Sequence, residues 1–211
     1  MLKAAKEKRL GEGLRVMIEP QTVEDEPAAD DNIADTKKKA VEAADVSPDK
    51  NNILNNNGCE SGEQTPDSWK QGAEIPGVQY SWDKNVASEG KASLCIEKTA
   101  NRYFPIAQWS QTVDREGNDP SFEVSAQVKA KRMTKAIIDV IFLDKDGQWI
   151  SHQWAAYIGS KKNGQPPANH NWKRYSGKVN IPSGTVKLCV ALQVYGPGKV
   201  WFDDVQAQYG K

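Results

Sequence analysis

Cysteine and histidine are scarce in this chain of 211 residues, numbering three and two. Cys59, Cys95 and Cys189 are an odd set, widely spaced and without a CxxC pair, which excludes a disulfide scaffold. They read as small buried hydrophobes, with a Cys95–Cys189 bridge as the alternative. His152 and His170 have no cysteine near them, so a zinc site is not expected. Each is read as an exposed or hydrogen-bonded residue of a strand or loop.

An excess of either charge is missing as well. Lysine plus arginine and aspartate plus glutamate both number 28, for a formal net charge of zero. A nucleic-acid binder normally carries a basic excess that replaces phosphate counterions, so no nucleic-acid partner is predicted. Nor is there an electrostatic membrane anchor. No apolar run approaches the ~18 residues of a membrane span, and mean hydropathy is -0.70. GxSxG, HExxH and phosphate-loop motifs are absent. The opening MLKAAKEKRL has basic residues but no apolar h-region, so it does not read as a secretory signal. Localisation stays open, extracytoplasmic if the chain is part of a longer exported or anchored protein.

Aromatic residues are lacking at the start and plentiful later. All seven Trp, six Tyr and four Phe lie beyond residue 60. Residues 21–50, QTVEDEPAADDNIADTKKKAVEAADVSPDK, are acidic and cannot bury enough apolar area to offset their ordering entropy. They are assigned as a disordered linker. Before it, GLRVMIEP alternates Leu14, Val16 and Ile18 with polar positions, so residues 1–20 read as a short helix or strand ending an upstream domain.

From residue 51 short alternating runs are punctuated by Gly, Pro, Asn and Asp. SFEVSAQVKA puts Phe122, Val124, Ala126 and Val128 on one face and Glu123, Ser125, Gln127 and Lys129 on the other. DKDG at 144–147 and GPGK at 196–199 read as hairpin loops. The fold class is all-β, an antiparallel β-sandwich over 51–211 preceded by a flexible N-terminal segment. At this size it buries roughly 70% of its unfolded surface, enough for an independent core.

Near the end stands KVWFDDVQAQ, in which Asp203 and Asp204 follow Val200, Trp201 and Phe202. A turn or backbone-bonding role, a metal and an acid/base pair are the three readings. Glycosidase carboxyls flank a bond ~5–9 Å apart. Adjacent residues of one strand face opposite ways and cannot straddle a substrate. An enzyme is not predicted.

Several stretches, taken in order, resemble a known family. ILNNNGCESG (53–62), PDSW (66–69), EGKASLCIE (89–97), QTV (111–113), FEVSAQVKA, IFLDKDG (141–147) and GKVWFDDV (198–205) resemble carbohydrate-binding modules of the family 4/9/22 type. Cys59 stands where that family usually has Phe. The resemblance implies a galactose-binding-like jelly roll that holds sugars without cutting them. It also implies a structural Ca2+ where the first strand, the Gly-Lys strand and the last strand approach. Calcium takes six to eight oxygens. Glu60, one of Asp203 and Asp204, and carbonyls near Ser88 to Lys91 are the implied ligands.

Sugar sites pair an aromatic floor with a few placed polar groups. Trp82 is assigned to a loop, Trp109 lies beside Gln108 and Gln111, and Trp172 lies in or beside a loop. Alternation turns Ile138, Val140 and Phe142 inward and Ile137, Asp139 and Ile141 outward. It sets His152 and Trp154 in one phase, against Trp149, Gln153 and Tyr157 in the other. Gln127, Asp139, His152 and Trp154 are placed in a common groove on an outer face. The ligand candidates are thus Trp82, Trp109, Gln127, Asp139, His152, Trp154 and Trp172. Core filling is the competing reading for every Trp, and Trp201 is read as structural. The function expected is a non-catalytic, monomeric carbohydrate-binding module appended to a larger protein, with an oligo- or polysaccharide as partner. The alternative is a protein-interaction or structural domain without sugar affinity.

Overall fold

A computed structural model describes residues 51–159 and 167–210. The expectations for 1–20 and 21–50 lie outside the described residues. The described part contains ten strands and no helix, so none is long and apolar enough to cross a membrane. They are β1 (Lys70–Gln71), β2 (Val78–Asp83), β3 (Ser93–Lys98), β4 (Ala107–Asp114), β5 (Ser121–Met133), β6 (Lys135–Leu143), β7 (Trp149–Gly159), β8 (Ala168–Asn180), β9 (Lys187–Tyr195) and β10 (Gly198–Gly210).

They form two five-stranded sheets, β1-β4-β9-β6-β7 (sheet I) and β2-β3-β10-β5-β8 (sheet II), with every pairing antiparallel. This is the all-β jelly-roll sandwich. Successive side chains alternate across a sheet, so one parity of each strand supplies the core. Phe122, Val124, Ala126 and Val128 of β5 face Ile138, Val140 and Phe142 of β6 and Leu188, Val190, Leu192 and Val194 of β9. Leu94, Ile96, Val200 and Phe202 complete the layer from β3 and β10. The hairpin at 144–147 closes as expected: Asp144 Oδ1 accepts the Asp146 and Gln148 amides at 2.9 and 2.8 Å.

Cys95 lies on sheet II, in register with Trp201, whereas Cys189 lies on sheet I opposite Thr112. All three cysteines are free thiols. The layers between them exclude the Cys95–Cys189 alternative.

The paired aspartates sit on a β-bulge. Asp203 pairs with Gln127 but Gln206 pairs with Ser125, so β10 carries one extra residue there. Asp204 takes the left-handed conformation at φ 43°. Consequently Val200 and Phe202 point inward before the bulge, and Val205 and Ala207 after it.

Candidate functional site

Sheet I carries the richer outer face. Strand register places Asp139 opposite Trp154, Ile141 opposite His152, Ile137 opposite Tyr157 and Leu143 opposite Trp149. Two irregularities in β7 make this possible. The register slips between Ile138 and Asp139 and again between Phe142 and Leu143, leaving Ala155 and Ile150 as extra residues. Residues that strict alternation sends to opposite faces therefore emerge together. Trp149, His152, Trp154 and Tyr157 form one column along the strand, with successive ring separations of 6.3, 6.5 and 6.3 Å. The separation of Trp149 and Tyr157 from His152 and Trp154 expected from parity is corrected by these bulges.

Beside the column runs a row of polar groups across the strands. His152 Nδ1 lies 3.1 and 3.0 Å from the two Asp139 carboxylate oxygens. Gln193 Nε2 donates to Asp139 Oδ2 at 3.2 Å and to Gln108 Oε1 at 3.2 Å. Tyr195 Oη donates to Gln193 Oε1 at 2.9 Å. Asp139 and Gln193 are buried while His152 is exposed. Burial raises the Asp139 carboxyl above its usual range, against hydrogen bonds from His152 and Gln193 that pull it down. Burial likewise pushes the Tyr195 phenol up to about 12, with the Asp139 charge adding to it. Lys135 Nζ sits over the rings of Trp154, Tyr195 and Tyr157 at 4.4, 4.6 and 5.3 Å. Phe104 meets Tyr195 edge-on at 6.1 Å. An aromatic platform thus adjoins a pre-paired polar relay.

The candidates from sequence divide between several places. Asp139, His152 and Trp154 meet on this face. Gln127 belongs to β5, on the outer face of sheet II in register with Arg174, so it cannot share a groove with Asp139. Trp172 is on β8, the edge strand of that same sheet. Trp109 is 2% exposed, points into the core and donates Nε1–H to the Cys95 carbonyl at 3.2 Å. Trp82 lies on β2 rather than in a loop, and its Nε1–H binds the Cys59 carbonyl at 2.7 Å. Trp201 is buried and donates to Asp83 at 2.9 Å. Gln108, Gln193, Tyr195 and Phe104 were not among the candidates. The Gln108 and Gln193 positions follow from alternation on β4 and β9 once their pairing is known. Phe104 had no periodicity to flag it.

A second cluster joins distant segments. Asp203 is fully buried. Its Oδ2 accepts the Ser88 and Glu89 amides at 2.6 and 3.2 Å, and its Oδ1 accepts the Asp204 amide at 2.7 Å. Glu60 accepts the Lys91 amide at 2.9 and 3.0 Å and the Ala92 amide at 3.2 Å. Gly90 adopts φ +66°, and a Cβ there would overlap the Glu60 carboxylate. Asp204 turns elsewhere and pairs with Arg174, which also donates to Ser125 Oγ at 3.0 Å. Burial pushes the Asp203 carboxyl up to about 6, against the three amides.

As a cation site this cluster has two converging carboxylates, one of them buried without a cationic partner among the described residues. Lys91 donates its backbone N–H to the Glu60 carboxylate. No group of three or more His, Cys, Asp or Glu side chains able to hold a metal occurs among the described residues. Most of an oxygen shell would therefore have to come from carbonyls and water.

No family model matches the chain. It is 26% identical over 141 residues to the tRNA(Glu)-specific nuclease WapA of Bacillus subtilis subsp. natto (strain BEST195), covering 61% of this chain and 6% of that protein. Among solved structures, the enzymatically active domain of bacteriophage CBA120 tailspike protein 4 superimposes with TM-score 0.55 at 17% identity, over 78% of this chain and 22% of its own. The CBM22-1 xylan-binding domain of Paenibacillus barcinonensis Xyn10C gives 0.51 at 17%, over 74% and 92%. The Stig cyclase Fisc from Fischerella sp. TAU gives 0.51 at 13%, over 76% and 98%. At such identities the likeness is one of fold, and one fold hosts many activities. The chain shares the jelly-roll architecture of carbohydrate-binding modules of family 22.

Proposed function

We propose that residues 51–210 form a non-catalytic carbohydrate-binding module, appended to a larger protein, whose ligand lies on the outer face of sheet I. One observation carries this reading. Five large hydrophobic side chains stand exposed among the described residues: Tyr103, Phe104, Trp149, Trp154 and Val186. Phe104, Trp149 and Trp154 surround one face, and Tyr103 adjoins Phe104 in sequence. Exposed aromatic surface beside fixed amide, imidazole and carboxylate groups suits a ligand with apolar ring faces and equatorial hydroxyls. The family 22 xylan-binding neighbours make an oligosaccharide the natural class. Hydrolysis is not part of the proposal. Asp139 is committed to His152 and Gln193. Asp114, on β4 of the same sheet, lies four strand positions from its level, roughly 13 Å along the strands, outside the ~5–9.5 Å spacing of glycosidase carboxyl pairs.

The proposal includes a structural calcium held by Glu60 and Asp203, with carbonyls of the 88–91 loop. The support is the convergence of both carboxylates on that loop and the burial of Asp203 without a cationic partner among the described residues. Its contribution would be to staple the first segment, the loop and β10 together.

Isothermal titration with xylohexaose and a panel of soluble glycans tests the sugar reading. Trp154→Ala should weaken the bound glycan at least about tenfold, while Gln127→Ala, on the other sheet, leaves affinity unchanged. Melting temperature should hardly move for Trp154→Ala, whose side chain is half exposed. A silent panel with a fully folded protein would instead favour the protein-interaction alternative.

A further inference from the structure

Lys98 is 1% exposed, yet it carries an ammonium group. It sits on the inward parity of β3 with Leu94 and Ile96, at the end of the sandwich. Among the described residues no carboxylate pairs with it. Its Nζ donates to two backbone carbonyls, Tyr103 O at 2.8 Å and Pro105 O at 2.6 Å. Desolvation holds its pKa below the ordinary lysine value, with nearby Arg102 adding to the effect. Burying a charge without a counter-ion is costly, and such a cost normally persists only where it secures something.

What it secures is the connection from sheet II to sheet I. The two carbonyls flank Phe104, and Phe104 is 66% exposed, the most exposed large hydrophobic side chain described. A buried ammonium that fixes an exposed phenyl ring is two unfavourable choices at one place. Local violations of this kind cluster at functional sites. The ring meets Tyr195 edge-on at 6.1 Å. Tyr195 in turn binds Gln193, which holds Gln108 and Asp139. Phe104 therefore stands at one end of the face whose other side is the Trp154 column.

We infer that the Tyr103–Pro105 loop is a preformed wall of the glycan site, in which Phe104 contacts a sugar ring and Lys98 is its positioning residue. The inference rests on the sugar-binding reading and adds to it the extent of the site. The ligand would cross the strands from β7 past β6 and β9 to the loop before β4, so that Phe104 and Trp154 contact different sugar units. A rigid wall needs no ordering on binding, and rigidity of that kind raises affinity without new contacts.

A double-mutant cycle on xylohexaose binding tests this, with β-1,4-galactotriose as second probe. Phe104→Ala should weaken binding about five- to tenfold, as loss of one aromatic stack does, with the melting temperature unchanged. Lys98→Met should weaken it to a similar degree. Lys98→Met/Phe104→Ala should be no weaker than Phe104→Ala alone, because Lys98 acts through that ring. A residue that merely supported the fold would give additive losses. Lys98→Met should also speed amide hydrogen exchange across 99–106 without speeding it in β5 or β10, a readout that needs no ligand. If Phe104→Ala binds like the wild type while Trp154→Ala does not, the wall is wrong and the sugar site survives. If no glycan of the panel binds the folded wild type, both readings fall. If Lys98→Met does not fold, Phe104→Ala and Phe104→Leu decide alone: retention with Leu and loss with Ala supports a contact. Equal affinity of both variants and wild type overturns it.

Discussion

Replacing Asp203 with alanine should destabilise the domain by about 3 kcal/mol or more. The substitution strips the acceptor from three backbone amides, those of Ser88, Glu89 and Asp204, whose bonds to the buried Asp203 carboxylate are partly shielded from water. An orphaned donor costs about 1–3 kcal/mol, and relief of the buried charge returns part of it. For a domain of this size the loss corresponds to roughly 6–12 °C in melting temperature. Asp203→Asn, which keeps one acceptor oxygen, should fall in between.

The pH dependence separates a bare carboxylate from a cation site. Burial raises Asp203 from 3.8 to about 6, so the folded protein holds the proton more tightly than the unfolded chain. The stability this confers is complete below pH 3.8 and is lost as pH rises through about 6. Calcium binds the ionised form, so its stabilisation should have the reverse sign. It should be present well above pH 6 and vanish below it. Scans with calcium and with EDTA on either side of that value measure both effects. Asp203→Ala should abolish the difference between calcium and EDTA, while Asp204→Ala should retain it, since Asp204 is engaged by Arg174. An EDTA response that is absent in the wild type at high pH leaves the amide staple standing and removes the calcium.

Period-2 patterning makes the sandwich legible in the residues themselves. Phe122 to Val128 and Ile138 to Phe142 point where alternation sends them, because those stretches contain no bulge. That Glu60, the 88–91 loop and β10 meet is implied by the family resemblance, not by the residue pattern itself. What alternation cannot show is which sheet a strand joins. Gln127 and Asp139 were assigned to one groove because each is outward, yet their strands lie in different layers. Bulges are the other blind spot. One extra residue at Ala155, and another at Ile150, reverses the parity of everything beyond it, and neither residue has a distinguishing chemistry. At Asp204 the extra residue likewise shifts parity, so that Val205 rather than Asp204 is the next side chain of β10 to point inward. Trp82 and Trp109 illustrate a third limit. Their indole N–H groups are satisfied by carbonyls of Cys59 and Cys95, and Trp109, for all its polar neighbours, is core material, whereas Trp82 is half-buried beneath Lys84.

The bulge at Ala155 also has a partner that can be tested. Gly177 of β8 lies against β7 across the open edge between the two sheets, and a Cβ there would overlap the Ala155 carbonyl. Gln153 bridges the same edge, donating to Asn180 O at 2.8 Å and accepting the Asn180 amide at 3.1 Å. The three atoms nearest a Cβ at 177 are all backbone of Ala155, so no rotamer change relieves the clash. Gly177→Val should cost at least about 3 kcal/mol or prevent folding, and Gly177→Ala should cost nearly as much. Gly184→Ala is the control: nothing lies within 4 Å of its Cβ and only its φ of +81° is strained, worth about 1 kcal/mol. The effect should extend beyond stability, because the strand that Gly177→Ala displaces carries Trp154 next to Ala155. In Gly177→Ala that still folds, glycan affinity should drop along with melting temperature, whereas Gly184→Ala loses stability alone. If Gly177→Ala melts like the wild type, β8 does not press on the bulge.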